Sequence, residues 1–443
     1  MLRRLAPAFA LALVFIESSG CRSSSPVADK PAASSEPAPL EFASSKAPFV
    51  NALADLDEQI AATRTRADEQ ATSWMVLEKL AGLYLLRARL SGDYGDYAKA
   101  EQVLVESFAR APEGAGPVLT RAALNLSMHR VDRVEPDLER MAAAILVDEP
   151  TQAVITGMRG DLAMQRGDYE TAGKHIAKAL ELDRNLTTLS RQALWLWQTG
   201  DYEAAEAHYR DALATIVGDD SSRPPASERP EARAWIHLQL GLMDLDRGRY
   251  DDAFEHYREG AELLPGWWLL DEHIAEICVL TGRTSQATEL YESIVARTDK
   301  GEFMDALAEL AQARGDEAGA KQWIDRSSER FEAELIQFPE ASYGHALGHF
   351  LSFGPASRAL ELAEANHRLR PNLEAKRDLA QARLGVGDVV GAKSVIDEAL
   401  ATKAKRADLF WAAAEVYAKS GDEPRAAELR SAAEAINPKI AGE

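Results

Sequence analysis

The chain is 443 residues long and 46% hydrophobic, with 50 Lys and Arg against 71 Asp and Glu, a net charge of −21. A surface this acidic repels phosphate backbones and anionic lipid headgroups alike, which excludes nucleic acid as an expected partner. Cys21 and Cys278 are the two cysteines, so a disulfide framework is excluded as well.

At the N-terminus, Arg3 and Arg4 precede an apolar stretch from Leu5 to Ile16, and small residues lead into Cys21. Residues 1–20 therefore read as a secretory signal peptide, too short to span a membrane stably. Ser18-Ser19-Gly20-Cys21 resembles a bacterial lipoprotein box, although Ser18 stands where the box usually has an aliphatic residue and Glu17 adds a charge beside it. The resemblance implies lipidation of Cys21 by diacylglyceryl and palmitate groups, and anchoring in the bacterial cell envelope. Arg22 is not the Asp that retains some lipoproteins in the inner membrane, so the periplasmic side of the outer membrane is favoured. A soluble periplasmic or secreted protein is the alternative.

Residues 21–49 are dense in Ser, Pro and Ala and are expected to be a disordered linker with a reach of roughly 25–30 Å. Residues 50–71 are expected to form a helix covering the first repeat. From Leu53 onward the hydrophobic pattern is helical throughout, without sustained alternation.

The segments RGDYETA (166–172), TGDYEAA (199–205) and RGRYDDA (247–253) share a Gly, a Tyr two residues later and an Ala three after that; YGDYAKA (94–100) belongs with them. Taken as a marker, that glycine recurs at 95, 167, 200, 248, 282, 315, 354, 387 and 421, and several of the spacings are 33 or 34. The longer step from Gly200 to Gly248 holds an insert loop, 218–230, rich in Ser and Pro. The second helix after Gly315 reads as a turn longer than the others, and the step from 95 to 167 spans two periods with one marker missing.

Small residues recur where paired helices would touch, as at Gly160, Ala172 and Ala179. Prolines such as Pro265 and Pro438 follow the second helix. This pattern resembles the tetratricopeptide repeat over residues 72–438, with a tail at 439–443. The resemblance implies an all-α solenoid, a right-handed superhelix of about ten helix-turn-helix units near 72–112, 116–150, 153–184, 186–217, 234–265, 268–299, 301–332, 340–371, 373–404 and 407–438.

Local signatures of chemistry are near misses. The glycines of GDYETAGKH and GVGDVVG fail phosphate-loop and dinucleotide spacings and fit turns between helices. His345 and His349 lie four apart on one helix face, a geometry that could offer zinc two imidazoles, but no third ligand is indicated. Cys278 lies in an apolar helical pattern and reads as a buried, inert thiol. No catalytic residue, metal or cofactor is expected. Arg-Gly-Asp occurs three times, at 159–161, 166–168 and 314–316. Gly167 and Gly315 read as turns with Asp168 and Asp316 capping the next helix, and Gly160 as a close contact inside a first helix, rather than as adhesion ligands.

In the family that the repeats resemble, the first helix of each unit lines the concave face. Carried over position by position, this implies a partner-binding set of Trp197, Trp235, Leu238, Leu242 and Leu245, adjoining the acidic residues Glu272, Glu276, Asp305 and Glu309. The expected function is a membrane-tethered, non-catalytic scaffold that binds a peptide or protein in the groove, in envelope assembly, secretion or pilus biogenesis. The alternative is an enzyme or small-ligand receptor assembled from scattered residues. For the apolar set, core packing is the competing role.

Overall fold

The computed structural model describes residues 36–143, 147–217 and 230–442; the signal peptide, Cys21 and all of the insert loop except Pro230 lie outside the described residues. Among the described residues there are twenty-one α-helices and no strand. Helix α1 (Ala47–Glu69) packs on the first of ten helical hairpins. The first five pair α2 (Trp74–Ser91) with α3 (Tyr94–Arg110), α4 (Val118–Ser127) with α5 (Glu135–Ala142), α6 (Glu149–Gln165) with α7 (Tyr169–Leu182), α8 (Leu186–Thr199) with α9 (Tyr202–Val217), and α10 (Pro230–Asp246) with α11 (Tyr250–Leu263). The remaining five pair α12 (Trp268–Leu280) with α13 (Thr284–Thr298), α14 (Gly301–Ala313) with α15 (Glu317–Gln337), α16 (Pro339–Ser352) with α17 (Ala356–Leu369), α18 (Leu373–Gly385) with α19 (Val389–Ala401), and α20 (Ala407–Lys419) with α21 (Glu423–Ile436).

The third and fifth hairpins close where a missing side chain lets the partner helix approach. A Cβ on Gly160 would stand 2.5 Å from Ile176, and one on Gly241 would stand 2.2 Å from Tyr257. Ala172 and Ala179 are fully buried at the same crossing. Large rings fill the space between hairpins, Tyr209, Tyr257, Trp267 and Phe331 among them. A buried Phe of this kind contributes roughly 1.5–3 kcal/mol, and such contributions stack along the array.

The turn between paired helices is left-handed at Gly167 and Gly315, and Asp168 and Asp316 then accept the N–H of Thr171 and Gly319 as N-caps. In the first hairpin the structure corrects the marker by three residues. The sequence holds Gly-Asp-Tyr twice in succession, and Gly92 makes the turn at φ 70°, while Gly95 lies inside α3 and donates its N–H to the Asp93 cap. In the second hairpin, where no marker was found, His129 adopts φ 54° in the glycine's place. Histidine is among the few side chains that tolerate this region. Gly354 lacks a positive φ; there the second helix starts after Pro355 instead. Helix α15, at 21 residues, is the longest of the second helices.

The expected linker differs from its composition over its last part. From Glu36 the chain is extended along α13: Leu40 exchanges two hydrogen bonds of 2.8 Å with the Gln286 side chain, and Glu36 accepts from the N–H and hydroxyl of Ser285 at 2.6 and 2.7 Å. Leu40 and Phe42 pack against the main core. Two large apolar side chains and a backbone-matching glutamine suffice to hold a segment that reads as a tether by composition.

Successive first helices touch one another, α2 with α4, α4 with α6 and α6 with α8, and again α14 with α16, α16 with α18 and α18 with α20. Among the described residues, no pair of second helices makes a comparable contact. Crowding on one side of a stack curves it, so the first helices occupy the inside of the curve. Among the described residues, no helix is long and apolar enough to cross a membrane.

Candidate interaction face and buried histidine relays

The structure buries the whole predicted apolar set: Trp197, Trp235, Leu238, Leu242 and Leu245 are none of them more than 8% exposed. The Trp235 ring meets Tyr209 edge-on at 6.1 Å. The Trp197 indole N–H donates to Asp246 at 2.7 Å, and the Arg406 guanidinium covers its ring at 5.7 Å. In this conformation these five side chains serve packing. The acidic set divides. Asp305 is buried, whereas Glu272, Glu276 and Glu309 keep partial contact with solvent on α12 and α14. Glu276 pairs with His273 at 3.1 Å, three residues back on the same helix. Burial opposes the His273 charge, but Glu272 and Glu276 outweigh it and raise the imidazole pKa above its ordinary value.

His345 and His349 do not face a shared ion. Each takes its own carboxylate from α14: His345 Nδ1 lies 2.8 Å from Glu302, and His349 Nδ1 lies 2.8 Å from Asp305. The spacing of three on α14 and four on α16 makes a two-rung ladder between the first helices of adjacent hairpins. Burial works against ionisation of Glu302, yet the hydrogen bond from His345 and the Lys300 charge prevail and bring its pKa down to about 2. Asp305 goes the other way, because burial outweighs its bond to His349.

His349 Nε2 lies 2.8 Å from the Ser328 hydroxyl, so Asp305, His349 and Ser328 stand in the order of an acyl-transfer relay. Ser328, however, sits inside α15 and donates its hydroxyl proton to Ile324 O at 2.8 Å. Backbone N–H groups in a helix interior are engaged in the helix and give an oxyanion no donors. The arrangement orients α15 against α16 and has no means of stabilising a tetrahedral intermediate there. Cys278 is fully buried, and burial pushes its thiol up to about 11, which keeps it protonated and unreactive.

Sequence reasoning missed the contacts between distant hairpins. Both Trp267 and Trp268 donate their indole N–H to Leu90 O, at 3.2 and 2.9 Å. The Tyr169 hydroxyl accepts the Leu373 N–H at 3.0 Å, across 204 residues. His129 Nε2 accepts from Arg370 at 3.0 Å; burial and that same arginine charge hold the imidazole well below its usual pKa, so it is neutral and free to accept. Arg406 joins Asp246 at 3.0 Å and Asp408 at 3.1 Å. Apart from the local Arg406–Asp408 pair, these contacts join hairpins five or six apart, so one superhelical turn rests on the next. The only local signal was a polar or aromatic residue beside a turn, which is common in any repeat.

Family models described as tetratricopeptide repeat match two adjacent stretches, residues 157–186 and 187–211, which cover the second half of α6 with α7, and α8 with most of α9. The chain carries tetratricopeptide repeats, and its described residues build a helical solenoid of ten hairpins. No curated protein shows a significant match to the sequence. Among solved structures, a human IFIT1 dimer with m7Gppp-AAAA is similar at 13% identity and TM-score 0.41, over 87% of this chain and 96% of that one. The Cut9–Hcn1 hetero-tetramer of the APC/C is similar at 14% identity and TM-score 0.40, over 81% and 74%. Pseudomonas aeruginosa pilF is similar at 20% identity and TM-score 0.33, over 53% of this chain and 99% of that one. None of these likenesses bears on what the present chain binds.

Proposed function

We propose that the protein is a non-catalytic scaffold whose inner helices hold a peptide or protein segment, with the glutamates of α12 and α14 selecting basic residues on it. The observation that carries this reading is the division of the predicted set: the apolar members are packed away, while Glu272, Glu276 and Glu309 remain within reach of solvent on two neighbouring first helices. Charge complementarity of this kind governs encounter and partner choice more than final affinity. The same reading has the chain exported and tethered through lipid on Cys21 in the bacterial envelope, serving assembly, secretion or pilus biogenesis there.

The test is a photo-crosslinking amino acid installed in cells at Glu309, with Lys321 on the exposed side of α15 as the comparison site. The expected result is a defined partner captured at Glu309 and not at Lys321, with capture reduced at least tenfold by Glu276→Lys. Equal capture at both positions, or capture unaffected by the charge reversal, would overturn the reading. Separately, Cys21→Ala should release the protein from the membrane fraction; retention there would refute the lipid tether.

A further inference from the structure

The fifth hairpin carries a cluster that neither the packing nor the proposed groove uses. His237 projects from α10, and His256 and Glu259, three apart and so on one face, project from α11. Close approach of the two helices at Gly241, where a Cβ would stand 2.2 Å from Tyr257, brings the three together. Glu259 Oε2 lies 2.9 Å from His237 Nδ1 and 3.6 Å from His256 Nδ1, and all three ligand atoms fall within 4.8 Å of one another.

Both Nδ1 atoms are buried and neither makes a hydrogen bond. The carboxylate oxygen is near enough to His237 for one but misaligned. Two ring nitrogens converge on one carboxylate oxygen, His237 at ion-pair distance and His256 beyond hydrogen-bond reach, an arrangement that a cation between them would complete. Tetrahedral zinc, at about 2.0–2.2 Å from N and O ligands, holds its donors about 3.3–3.5 Å apart; the two donor pairs at 2.9 and 3.6 Å bracket that spacing, and a small side-chain adjustment would bring the three donors to it. Asp244 Oδ2 lies 3.7 Å from His256 Nε2, beyond hydrogen-bond reach but near enough to add negative potential beside the cluster.

We infer that His237, His256 and Glu259 form a site for a divalent transition-metal ion, zinc fitting best, that braces α10 against α11. Two imidazoles and one carboxylate suit zinc, cobalt or nickel and disfavour magnesium and calcium, which take oxygen ligands. Glu259 is on the solvent side, so the fourth coordination position is open to water or to a donor from a bound partner.

The test uses the purified full-length chain, stripped with chelator and titrated with ZnCl2 by calorimetry and with CoCl2 by visible absorption. One equivalent should bind, with the d–d bands of four-coordinate cobalt. Glu259→Gln alters an exposed side chain and should fold normally; it and His256→Ala should each weaken binding at least tenfold. His175→Ala, on α7, should leave it unchanged. Absence of saturable binding by the wild type, or wild-type affinity in Glu259→Gln and His256→Ala, would overturn the inference.

Discussion

Three identical Arg-Gly-Asp tripeptides have two kinds of surroundings. Asp168 and Asp316 are solvent-exposed N-caps, each satisfying one orphan amide at the start of a second helix. Asp161 is buried in α6 and holds Arg191 of the next hairpin through Nε at 2.9 Å, while Arg159 pairs with Glu135 at 3.0 Å. Losing a cap costs about 1 kcal/mol. Removing one member of a buried pair strands the other charge and costs roughly 3–5 kcal/mol. Asp168→Ala and Asp316→Ala are therefore expected to lower stability by about 1 kcal/mol each, and Asp161→Ala by several times as much, as read from urea unfolding midpoints. Equal losses at the three positions would contradict these assignments.

Between elements, the ladder joining α14 to α16 makes the seventh and eighth hairpins sensitive to acid. Glu302 has a folded pKa near 2, below its ordinary value of 4.5. A depressed carboxylate contributes stability that is complete above the unfolded pKa and disappears as pH falls through the folded one. A lowering of this size corresponds to roughly 3 kcal/mol at neutral pH. Glu302→Gln should thus be less stable than wild type at pH 6, and the gap should close between about pH 4.5 and 2. Denaturation at pH 6, 4 and 3 measures it; a gap independent of pH would dissociate Glu302 from the effect. His129 shows another property of elements: a hairpin can turn without glycine when the substitute tolerates φ 54° and its ring gains partners, here Arg370 and Gln165.

Over the whole molecule, the small rotation between hairpins accumulates until hairpin five meets hairpin ten. Arg406 is the centre of that meeting, bonded to Asp246 and Asp408 and lying over Trp197. Its replacement by Ala leaves Asp246 short of a cation in a half-dry contact, at a cost of roughly 3–5 kcal/mol, and lets the superhelical turns part. The expected signature in Arg406→Ala is a larger radius of gyration by small-angle scattering with helix content retained by circular dichroism. An unchanged radius would show that the turns are held elsewhere, at Trp267, Trp268 and Tyr169.

The hairpins, their caps and their small-residue crossings were legible in the chain because each depends on residues within one repeat of about 34: a left-handed glycine, an aspartate one position on, an alanine facing a glycine. The tandem Gly-Asp-Tyr at 92–97 shows the limit of that reading, since two equivalent local choices existed and only packing selected the first. Exposure was decided by tertiary structure alone. Trp197 and Trp235 stand at positions where an open solenoid would show them to a partner, and here they are covered. For Trp197 part of the cover comes from Arg406, distant in sequence and brought near by the curvature of the array. Contacts across about 200 residues leave no periodic mark on a sequence, because they depend on an angle per repeat multiplied several times over.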